Sequence, residues 1–272
     1  MSLYQDDDPD KTAYISFASD GNANLKIAKL SEDYLDVVEL VYKWDRVFWE
    51  ATGIVKNNGI YTMLYSKQDG WNPNPNSAMQ AYNISGPWQA PTLIAPQNVK
   101  TYSSQNTYDF TVKGSEITSF IYAGDRWFPK SLGESTYIWL PLLIQGTKIS
   151  LIWADIWSIN SKTGKVTIET GEAYDAKQAE KNGNNIIFTN IRGPQAEGQQ
   201  QWCCIYYSNP GKNIKNGELT ANNLIESTTK VKFSGVNGVI SVPVSVALNP
   251  GKENSITIKH PDSVTLHKII MY

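Results

Sequence analysis

Short apolar runs, each ended after a few residues by glycine, asparagine, aspartate or proline, make up most of this 272-residue chain. The run TAYISFAS (residues 12–19) is typical. It is rich in aromatic and β-branched residues, and Asp20-Gly21-Asn22 behind it has the composition of a tight turn. The longest apolar run, around residues 137–144, is far too short to cross a membrane. The pattern predicts an all-β protein.

The predicted strands fall into sets. The first set occupies residues 12–30, the second residues 53–83 and the third residues 109–143, and a fourth is predicted to begin at residues 149–153. These sets recur at roughly the 40–50-residue spacing of propeller blades, although no block of letters repeats. The spacing favours a β-propeller over a generic β-sandwich, which is the alternative interpretation.

The composition changes near Gly171. Beyond this point the chain is rich in Asn, Gly, Val and Ile, and it carries alternating runs at residues 231–233, 239–246, 255–259 and 264–272. About a hundred residues of such strands suffice for a β-sandwich of ordinary domain size. The sequence therefore predicts two modules, residues 1–170 and residues 171–272, the second a β-sandwich of jelly-roll type.

Charge and cysteine content exclude several classes of function. Charged residues make up 18% of the chain and the net charge is −2, which provides no basic field for nucleic acid or an anionic membrane. Cys203 and Cys204 are adjacent, and adjacent strand residues point to opposite faces, so we expect no disulfide between them. No zinc or CxxC spacing occurs, and we expect no metal and no other cofactor.

The aromatic content points towards carbohydrate. The nine Trp and fifteen Tyr provide flat faces that stack on sugar rings, together with N–H and O–H groups that bind hydroxyls. Any single aromatic residue could equally fill a β core, so the hypothesis depends on the whole set.

Seven sequence blocks in one order carry a resemblance to a known family. They are FWEATGI, NNGIYTMLYS, GWNPNPN, SGPW, TYSSQNTYDF, AGDRW and YIWLPL, between residues 48 and 142. In that order they resemble glycoside hydrolase family 43, and within it the exo-β-1,3-galactanase branch, over about residues 6–170. The resemblance implies a five-bladed propeller with the active site in its central channel. It also implies inverting hydrolysis of terminal galactose from β-1,3-galactan or arabinogalactan-type polysaccharide.

The resemblance makes Glu50 the general acid. This role requires a protonated carboxyl beside the glycosidic oxygen, kept neutral by partial burial or by a neighbouring negative charge. Trp44, Phe48 and Trp49 are expected to supply apolar surroundings of that kind.

An inverting glycosidase also needs a group that acts on water at the far side of the sugar. In the galactanase branch a glutamine in the SQN block takes that place, which here is Gln105. A neutral amide is a poor base, so we expect Gln105 to orient the water or to act through an unusual tautomer.

Five further residues are predicted to contact the sugar. Asn22 and Gln68 align with sugar-contacting positions, although the family residue at Gln68 is more often threonine. Trp71, Tyr102 and Asp125 are predicted to line the wall of the site.

The resemblance also implies blades that precede residue 6, including an aspartate that tunes the acid. Residues 6–170 would then form about three of five blades, and we expect the activity of this chain alone to be impaired.

The second module resembles a family 35 carbohydrate-binding module, on the blocks YDAKQA, WCCIYYSN, LNPGKENSITIKHP and LHKIIMY. Such modules usually hold a structural calcium through carboxylates. Asp175 could serve as one ligand, but Lys177 and His267 stand where two further acids are expected. Because calcium requires several oxygen ligands, we expect no high-affinity calcium site here.

Two other functions remain open. One is a carbohydrate-binding protein without turnover, and the other is a different family 43 activity, arabinofuranosidase or xylosidase. The SQN block with Gln105 favours galactan over the latter. The family resemblance and the sequon Asn83-Ile84-Ser85 predict an extracellular location, although no signal peptide is visible.

Overall fold

Antiparallel strands make up nearly all of the regular structure in the computed structural model, which describes residues 1–197, 199–211, 213–251 and 253–272. Strands hold 55% of the residues and helical turns 5%, which confirms the all-β prediction. The chain divides into two compact units. One comprises Met1–Ala154 with Ser158–Thr167, the other Asp155–Trp157 with Ile168–Tyr272. Within the described residues, no helix has the length and apolar character needed to cross a membrane.

The first unit contains three four-stranded sheets, in each of which every strand pairs with the next one along the chain. The first sheet consists of β1 (Ser2–Gln5), β2 (Ala13–Ser19), β3 (Asn24–Leu30) and β4 (Val37–Trp44). The second consists of β5 (Trp49–Asn57), β6 (Ile60–Lys67), β7 (Ser77–Ala81) and β8 (Thr92–Leu93). The third consists of β9 (Gln105–Lys113), β10 (Thr118–Arg126), β11 (Thr136–Gln145) and β12 (Lys148–Leu151).

The predicted start of a fourth strand set is wrong. Residues 148–151 form β12, which pairs with β11 and completes the third sheet, with Ile144 opposite Ile149. The hairpin turns at Gly146, whose φ of +58° suits glycine. The apolar residues of β12 resemble those expected at the start of a new strand set, but the short turn pairs β12 with the preceding strand, β11. A two-stranded sheet of β13 (Trp157–Ile159) and β14 (Val166–Ile168) follows.

Two apolar clusters bury both faces of the second sheet. Side chains alternate along each strand, so Ile54 and Met63 contact the cluster that includes Leu25 of the first sheet. Val55 and Leu64 contact the other cluster, which includes residues of the third sheet such as Phe120, Tyr122, Ile138 and Leu140. Burial of one such side chain is worth about 1.5–3 kcal/mol. Strand β5 therefore lies between the first and third sheets, held from both sides.

The second unit contains two antiparallel sheets around one apolar core. The four-stranded sheet has the order β15 (Glu172–Asp175), β23 (Thr265–Met271), β18 (Gln201–Asn209) and β21 (Val236–Val246). The five-stranded sheet has the order β16 (Glu180–Asn182), β17 (Asn185–Ile191), β22 (Asn254–Lys259), β19 (Lys215–Ala221) and β20 (Thr228–Phe233). Both sheets contribute to the core, for example through Ile205 and Ile256.

The two cysteines lie side by side on β18 as free thiols. Cys203 belongs to the core of the unit, and both residues are buried. Burial raises the pKa of the Cys204 thiol to about 12, so the group is an uncharged thiol at neutral pH.

The remaining regular structure consists of short helical turns. The 3-10 turns lie at Gln97–Val99, Leu132–Glu134 and Ile225–Ser227. A four-residue turn at Lys100–Ser103 follows the first of these and leads into β9. This turn matters for the site, because β9 begins at Gln105.

Candidate active site

Glu50 lies beside a β-bulge in β5. Glu50 pairs with Ser66 of β6, whereas Gly53 pairs with Leu64, so β5 has one residue more than its partner in this interval. Ala51, within the bulge, has a left-handed φ of +52°. Bulges redirect side chains and are common beside active sites. Here the bulge determines which residue of β6 lies opposite Glu50.

The expected aromatic surroundings of Glu50 lie elsewhere. The Trp49 ring stacks on Tyr65, with ring centres 4.1 Å apart, and it packs with Trp44 against the core between the first and second sheets. Phe48 is exposed. The physical reason is that neighbouring strand residues point to opposite faces, so the packing of the half-buried Trp49 on this core directs Glu50 away from it.

Gln105 holds Glu50 directly. Its side-chain Nε2 donates to Glu50 Oε1 and to Ser66 Oγ, both at 2.9 Å. Trp127 Nε1 donates to Gln105 Oε1, also at 2.9 Å. Both amide N–H groups and one lone pair of the amide oxygen are thereby engaged. The structure thus brings the two predicted catalytic residues together and orients the glutamine amide without ambiguity.

A left-handed turn precedes Gln105. The four residues Lys100, Thr101, Tyr102 and Ser103 have φ values of +47°, +54°, +54° and +58°. For L-amino acids this conformation costs roughly 1–2 kcal/mol per residue, and it rarely extends over consecutive residues. Such strain persists only where the surroundings impose it, and it is concentrated at functional sites.

Hydrogen bonds from neighbouring segments stabilise this turn. Thr101 Oγ1 accepts from the Asn76 backbone N–H at 2.7 Å and donates to the Asn74 carbonyl at 3.2 Å. Arg126 donates two hydrogen bonds to the Tyr102 carbonyl oxygen, from Nε at 3.2 Å and from Nη2 at 2.9 Å. Ser104 Oγ donates to the Thr101 carbonyl at 2.6 Å. These contacts fix the direction in which the chain enters β9.

A second bulge follows Gln105. In β9, Asn106 pairs with Gly124 and Tyr108 with Ala123, which leaves Thr107 as the extra residue. The Asn106 backbone N–H donates to Asn76 Oδ1 at 2.9 Å. Gln105 is therefore held on one side by the left-handed turn and on the other by a bulge.

Asp109 closes that bulge from within the core. Asn106 Nδ2 donates to both Asp109 carboxyl oxygens, at 3.1 and 3.0 Å. Asp109 is 4% exposed, and burial raises its pKa to about 7 although the Asn106 amide lowers it. Gly53 of β5 lies directly against this carboxyl group.

Two exposed indoles lie next to the Glu50–Gln105 pair. Trp127 meets Trp71 edge to face, with ring centres 5.1 Å apart. Both residues are substantially exposed. Aromatic faces held in this way can stack on the apolar face of a sugar ring.

The other predicted sugar contacts are placed as follows. Gln68 follows the end of β6, and Asn22 lies in the turn between β2 and β3. Gln68 Nε2 donates to the Asn22 carbonyl, so the two residues are in contact. Asp125 pairs with Gln105 through the backbone. Tyr102 is not brought to the Glu50–Gln105 pair: its hydroxyl donates to the Leu151 carbonyl and its ring packs on Trp153.

Two residues of the site were missed by the sequence reasoning. Trp127 ends the AGDRW block and Ser66 ends the NNGIYTMLYS block, so both lie in segments that carry the resemblance. Their polar atoms contact Gln105, which assigns them to the site. Trp127 lies only two residues after Asp125, which the sequence predicted as a wall residue of the site. This proximity was the signal that could have identified Trp127.

In the second unit, Asp175, Lys177 and His267 line one cleft of about 500 Å³. Asp175 Oδ1 accepts the Lys177 backbone N–H at 2.8 Å, and Lys268 also lines the cleft. Calcium requires several oxygen ligands, and this cleft combines one carboxylate with two ammonium groups. The residues present do not fit calcium. Among the described residues of the whole chain, no group of three or more His, Cys, Asp or Glu lies close enough to hold a metal ion.

No family model and no curated protein matches the chain. Among solved structures, the exo-β-1,3-galactanase from Phanerochaete chrysosporium with galactose is 34% identical, with a TM-score of 0.86. The match covers 100% of this chain and 68% of that one. Variants of that enzyme in which a glutamate is replaced by alanine or glutamine, solved with β-1,3-galactotriose, match at TM-scores of 0.86 and 0.85, also at 34% identity.

Two further structures extend the comparison. An exo-β-1,3-galactanase from Clostridium thermocellum is 28% identical over 69% of this chain and 41% of that chain, with a TM-score of 0.57. A family 43 β-1,3-galactosidase with galactodeoxynojirimycin is 32% identical over 58% of this chain and 46% of that chain, with a TM-score of 0.53. The identity with the Phanerochaete enzyme over the whole of this chain confirms the resemblance carried by the seven blocks. This chain belongs to glycoside hydrolase family 43.

Proposed function

We propose that this chain is a glycosidase of the exo-β-1,3-galactanase type, which releases terminal galactose from β-1,3-galactan with inversion. The observation that carries the proposal is the contact between Glu50 and Gln105, since it joins an acid and a water-orienting amide in one site. The similarity to exo-β-1,3-galactanases supports the substrate class.

In this proposal Glu50 is the general acid. Gln105 Nε2 donates to Oε1 of the carboxyl group, which leaves Oε2 to carry the proton. The proton passes from Oε2 to the glycosidic oxygen as the bond between that oxygen and the anomeric carbon breaks. Glu50 leaves the step as a carboxylate.

Gln105 orients the attacking water. Trp127 occupies one lone pair of Gln105 Oε1, and a carbonyl oxygen has a second one that can accept a hydrogen bond from water. For the water to attack the anomeric carbon on the face opposite the departing oxygen, the sugar must enter between the two groups, because inverting enzymes hold them roughly 6.5–9.5 Å apart. The contact between Gln105 and Glu50 therefore opens when substrate binds, and the excess proton of the water passes to solvent. A neutral amide positions the water more than it activates it, so fixed geometry is the contribution of this residue.

The surrounding residues bind the galactose. Trp71 and Trp127 offer exposed aromatic edges and faces beside the pair. Asn22 and Gln68, joined by a hydrogen bond, offer amide groups for sugar hydroxyls. Asp125, which pairs with Gln105 through the backbone, completes the proposed set of sugar-contacting residues.

We further propose how the architecture serves this function. Residues 1–170, with their three four-stranded meanders, correspond to about three blades of a family 43 propeller. Residues 171–272, with two sheets around one core, form a carbohydrate-binding β-sandwich that keeps the chain on an arabinogalactan-type polysaccharide. The protein acts outside the cell, because such a polysaccharide does not cross membranes.

The test is to incubate the 272-residue chain with β-1,3-galactotriose and to follow the anomeric protons by NMR. We expect galactose to appear first as the α-anomer, since inversion of a β-linkage produces it. Initial release of the β-anomer would refute the inverting mechanism. Release of arabinose or xylose from arabinoxylan, without galactose from galactotriose, would assign the other family 43 activities instead. Binding of galactotriose without any release would assign a binding protein.

A further inference from the structure

Gly53 and Asp109 bring β5 and β9 into close contact. A methyl group on Gly53 would overlap Asp109 Oδ2 and come within 3.1 Å of Asn106 Oδ1. Asn106 Oδ1 is itself buried, and within the described residues it has no hydrogen-bond partner. Only a hydrogen atom fits at this position, so the separation of the two strands is set by the contact.

The same contact lies on the two strands that carry the proposed catalytic residues. Gly53 is three residues beyond Glu50 on β5, at the end of the bulge, and Asp109 is four residues beyond Gln105 on β9. Asn106, the direct neighbour of Gln105, is tied to the Asp109 carboxyl group through its side chain. A shift of Asp109 therefore pulls on the residue next to Gln105.

From this geometry we propose that Asp109 is a positioning residue, which with Gly53 sets the spacing of β5 and β9 so that Gln105 meets Glu50. The catalytic part of this inference rests on the proposed function. The carboxyl group does not touch the Glu50–Gln105 pair; it acts through Asn106 and the bulge at Thr107.

Burial supports a positioning role over a purely space-filling one. A carboxyl group is costly to bury when ionised, and this one is buried in contact with a single amide. An apolar side chain would fill the space at lower cost. What the carboxyl group adds is two acceptor oxygens for Asn106 Nδ2, which close the bulge beside Gln105.

The proposal can be tested with Gly53→Ala, Asp109→Ala and the double variant of the full chain. The first readout is the indole N–H resonance of Trp127 in the 1H–15N spectrum, because this group donates to Gln105. We expect each single variant to move it towards its position in Gln105→Ala. The second readout is kcat for β-1,3-galactotriose, which we expect to fall by about 10- to 100-fold, since small displacements of catalytic groups have costs of this size. KM should change by less than about threefold.

The double variant distinguishes positioning from general destabilisation. Asp109→Ala removes the oxygen that a methyl group on residue 53 would strike, so adding Gly53→Ala to it should have little further effect. Asp109→Asn, which keeps the shape and one acceptor, should retain more of the wild-type kcat and indole shift than Asp109→Ala. Asp10→Ala, at an exposed aspartate, is the matched control.

Clear outcomes would overturn the inference. An unmoved Trp127 resonance in both single variants would do so, and so would a Gly53→Ala effect as large in the Asp109→Ala background as in the wild type. If Gly53→Ala does not fold, recovery of folding in the double variant supports the contact, and failure to recover refutes it. A shifted indole in a wild-type chain that releases no galactose would refute the proposed function and leave the positioning intact.

Discussion

Trp127 donates its indole N–H to the side-chain oxygen of Gln105 at 2.9 Å, which fixes the orientation of the amide that contacts Glu50. Without this donor, the Gln105 amide could exchange its oxygen and nitrogen by rotation. The carboxyl group would then face an amide oxygen, and the lone pair that we propose to orient the water would be lost. The indole of Trp127 thus orients Gln105 through its N–H group, in addition to presenting an aromatic face.

Trp127→Phe should therefore lower kcat for β-1,3-galactotriose by about tenfold, because one hydrogen bond of about 1–1.5 kcal/mol is removed while the aromatic ring is kept. Steady-state kinetics would measure this. Trp202→Phe is the matched control, since Trp127 and Trp202 are 38% and 39% exposed and Trp202 lies in the second unit. Equal losses in the two variants would contradict the prediction.

Glu50→Gln should lower galactose release by about 10²–10⁴-fold, the usual contribution of general acid catalysis. The fold should be kept, because glutamine can still accept from Gln105 Nε2. Circular dichroism and a galactose assay would report both properties. Glu39→Gln, at an exposed glutamate of β4, serves as the control. A variant that keeps more than about a tenth of the wild-type turnover would exclude Glu50 as the acid.

Ser103→Gly should raise the melting temperature. Ser103 has a φ of +58°, which costs a non-glycine residue roughly 1–2 kcal/mol, while glycine loses about 0.5–1 kcal/mol in chain entropy. The net gain is up to about 1.5 kcal/mol, measurable by calorimetry. Ser150→Gly, on β12, should lower the melting temperature instead. Destabilisation by Ser103→Gly would show that its side chain matters more than its backbone.

Asp109→Asn should change how stability depends on pH. Burial raises the pKa of Asp109 from 3.8 to about 7, so the folded state binds more protons than the unfolded state between these values. Stability therefore falls as pH rises from about 4 to about 7 and levels off above it, with a total on the order of 4 kcal/mol. Tyr122, the neighbouring titratable group on β10, stays neutral in this window because burial raises its pKa.

The neutral asparagine side chain of the Asp109→Asn variant lacks this titration. The free energy of unfolding of the variant, measured by urea titration, should gain on that of the wild type steadily between about pH 4 and pH 7. A constant difference between the two proteins over that range would show that Asp109 ionises with an ordinary pKa.

Calcium should leave the melting temperature unchanged, because the cleft at Asp175 combines one carboxylate with Lys177 and Lys268. The double variant Lys177→Glu, His267→Asp places two more acids in the same cleft. We expect this variant, unlike the wild type, to melt higher in calcium than in EDTA. A calcium-dependent shift in the wild type would show that other oxygen ligands hold the ion.

The β5–β6 hairpin shows how far local sequence predicts the site. Asn58-Gly59 forms a two-residue turn, with φ values of +49° and +77°, and Asn57 pairs with Ile60. Asn-Gly is the sequence that such hairpin turns favour. Continued without interruption, this register places Lys67 opposite Glu50. The bulge at Ala51 shifts it by one residue and brings Ser66 there instead. Alanine has no preference for a left-handed φ, so its letter does not reveal the bulge.

The approach to Gln105 was unpredictable for a related reason. The residues of the left-handed turn include none that favours positive φ, and local preference predicts an extended or right-handed segment. Contacts from Asn74, Asn76 and Arg126, which are distant in sequence, impose the conformation. The blocks that resemble family 43 contain the residues that the structure brings together, whereas the hydrogen bonds among them required the folded chain.

The left-handed turn also determines which sequence changes this segment can accept. In a helical turn each residue advances the chain by about 100° around the axis, and in this turn the rotation has the opposite sense to that of an ordinary helix. Loss or gain of one residue between Lys100 and Ser103 would swing Gln105 by that angle, away from Glu50. Substitutions keep this direction and change only the strain and the side-chain contacts, such as that of Thr101, while Arg126 still holds the backbone carbonyl of residue 102. The length of this segment is therefore under tighter constraint than its composition. Mutant libraries of this segment should vary the residue types and keep the number of residues.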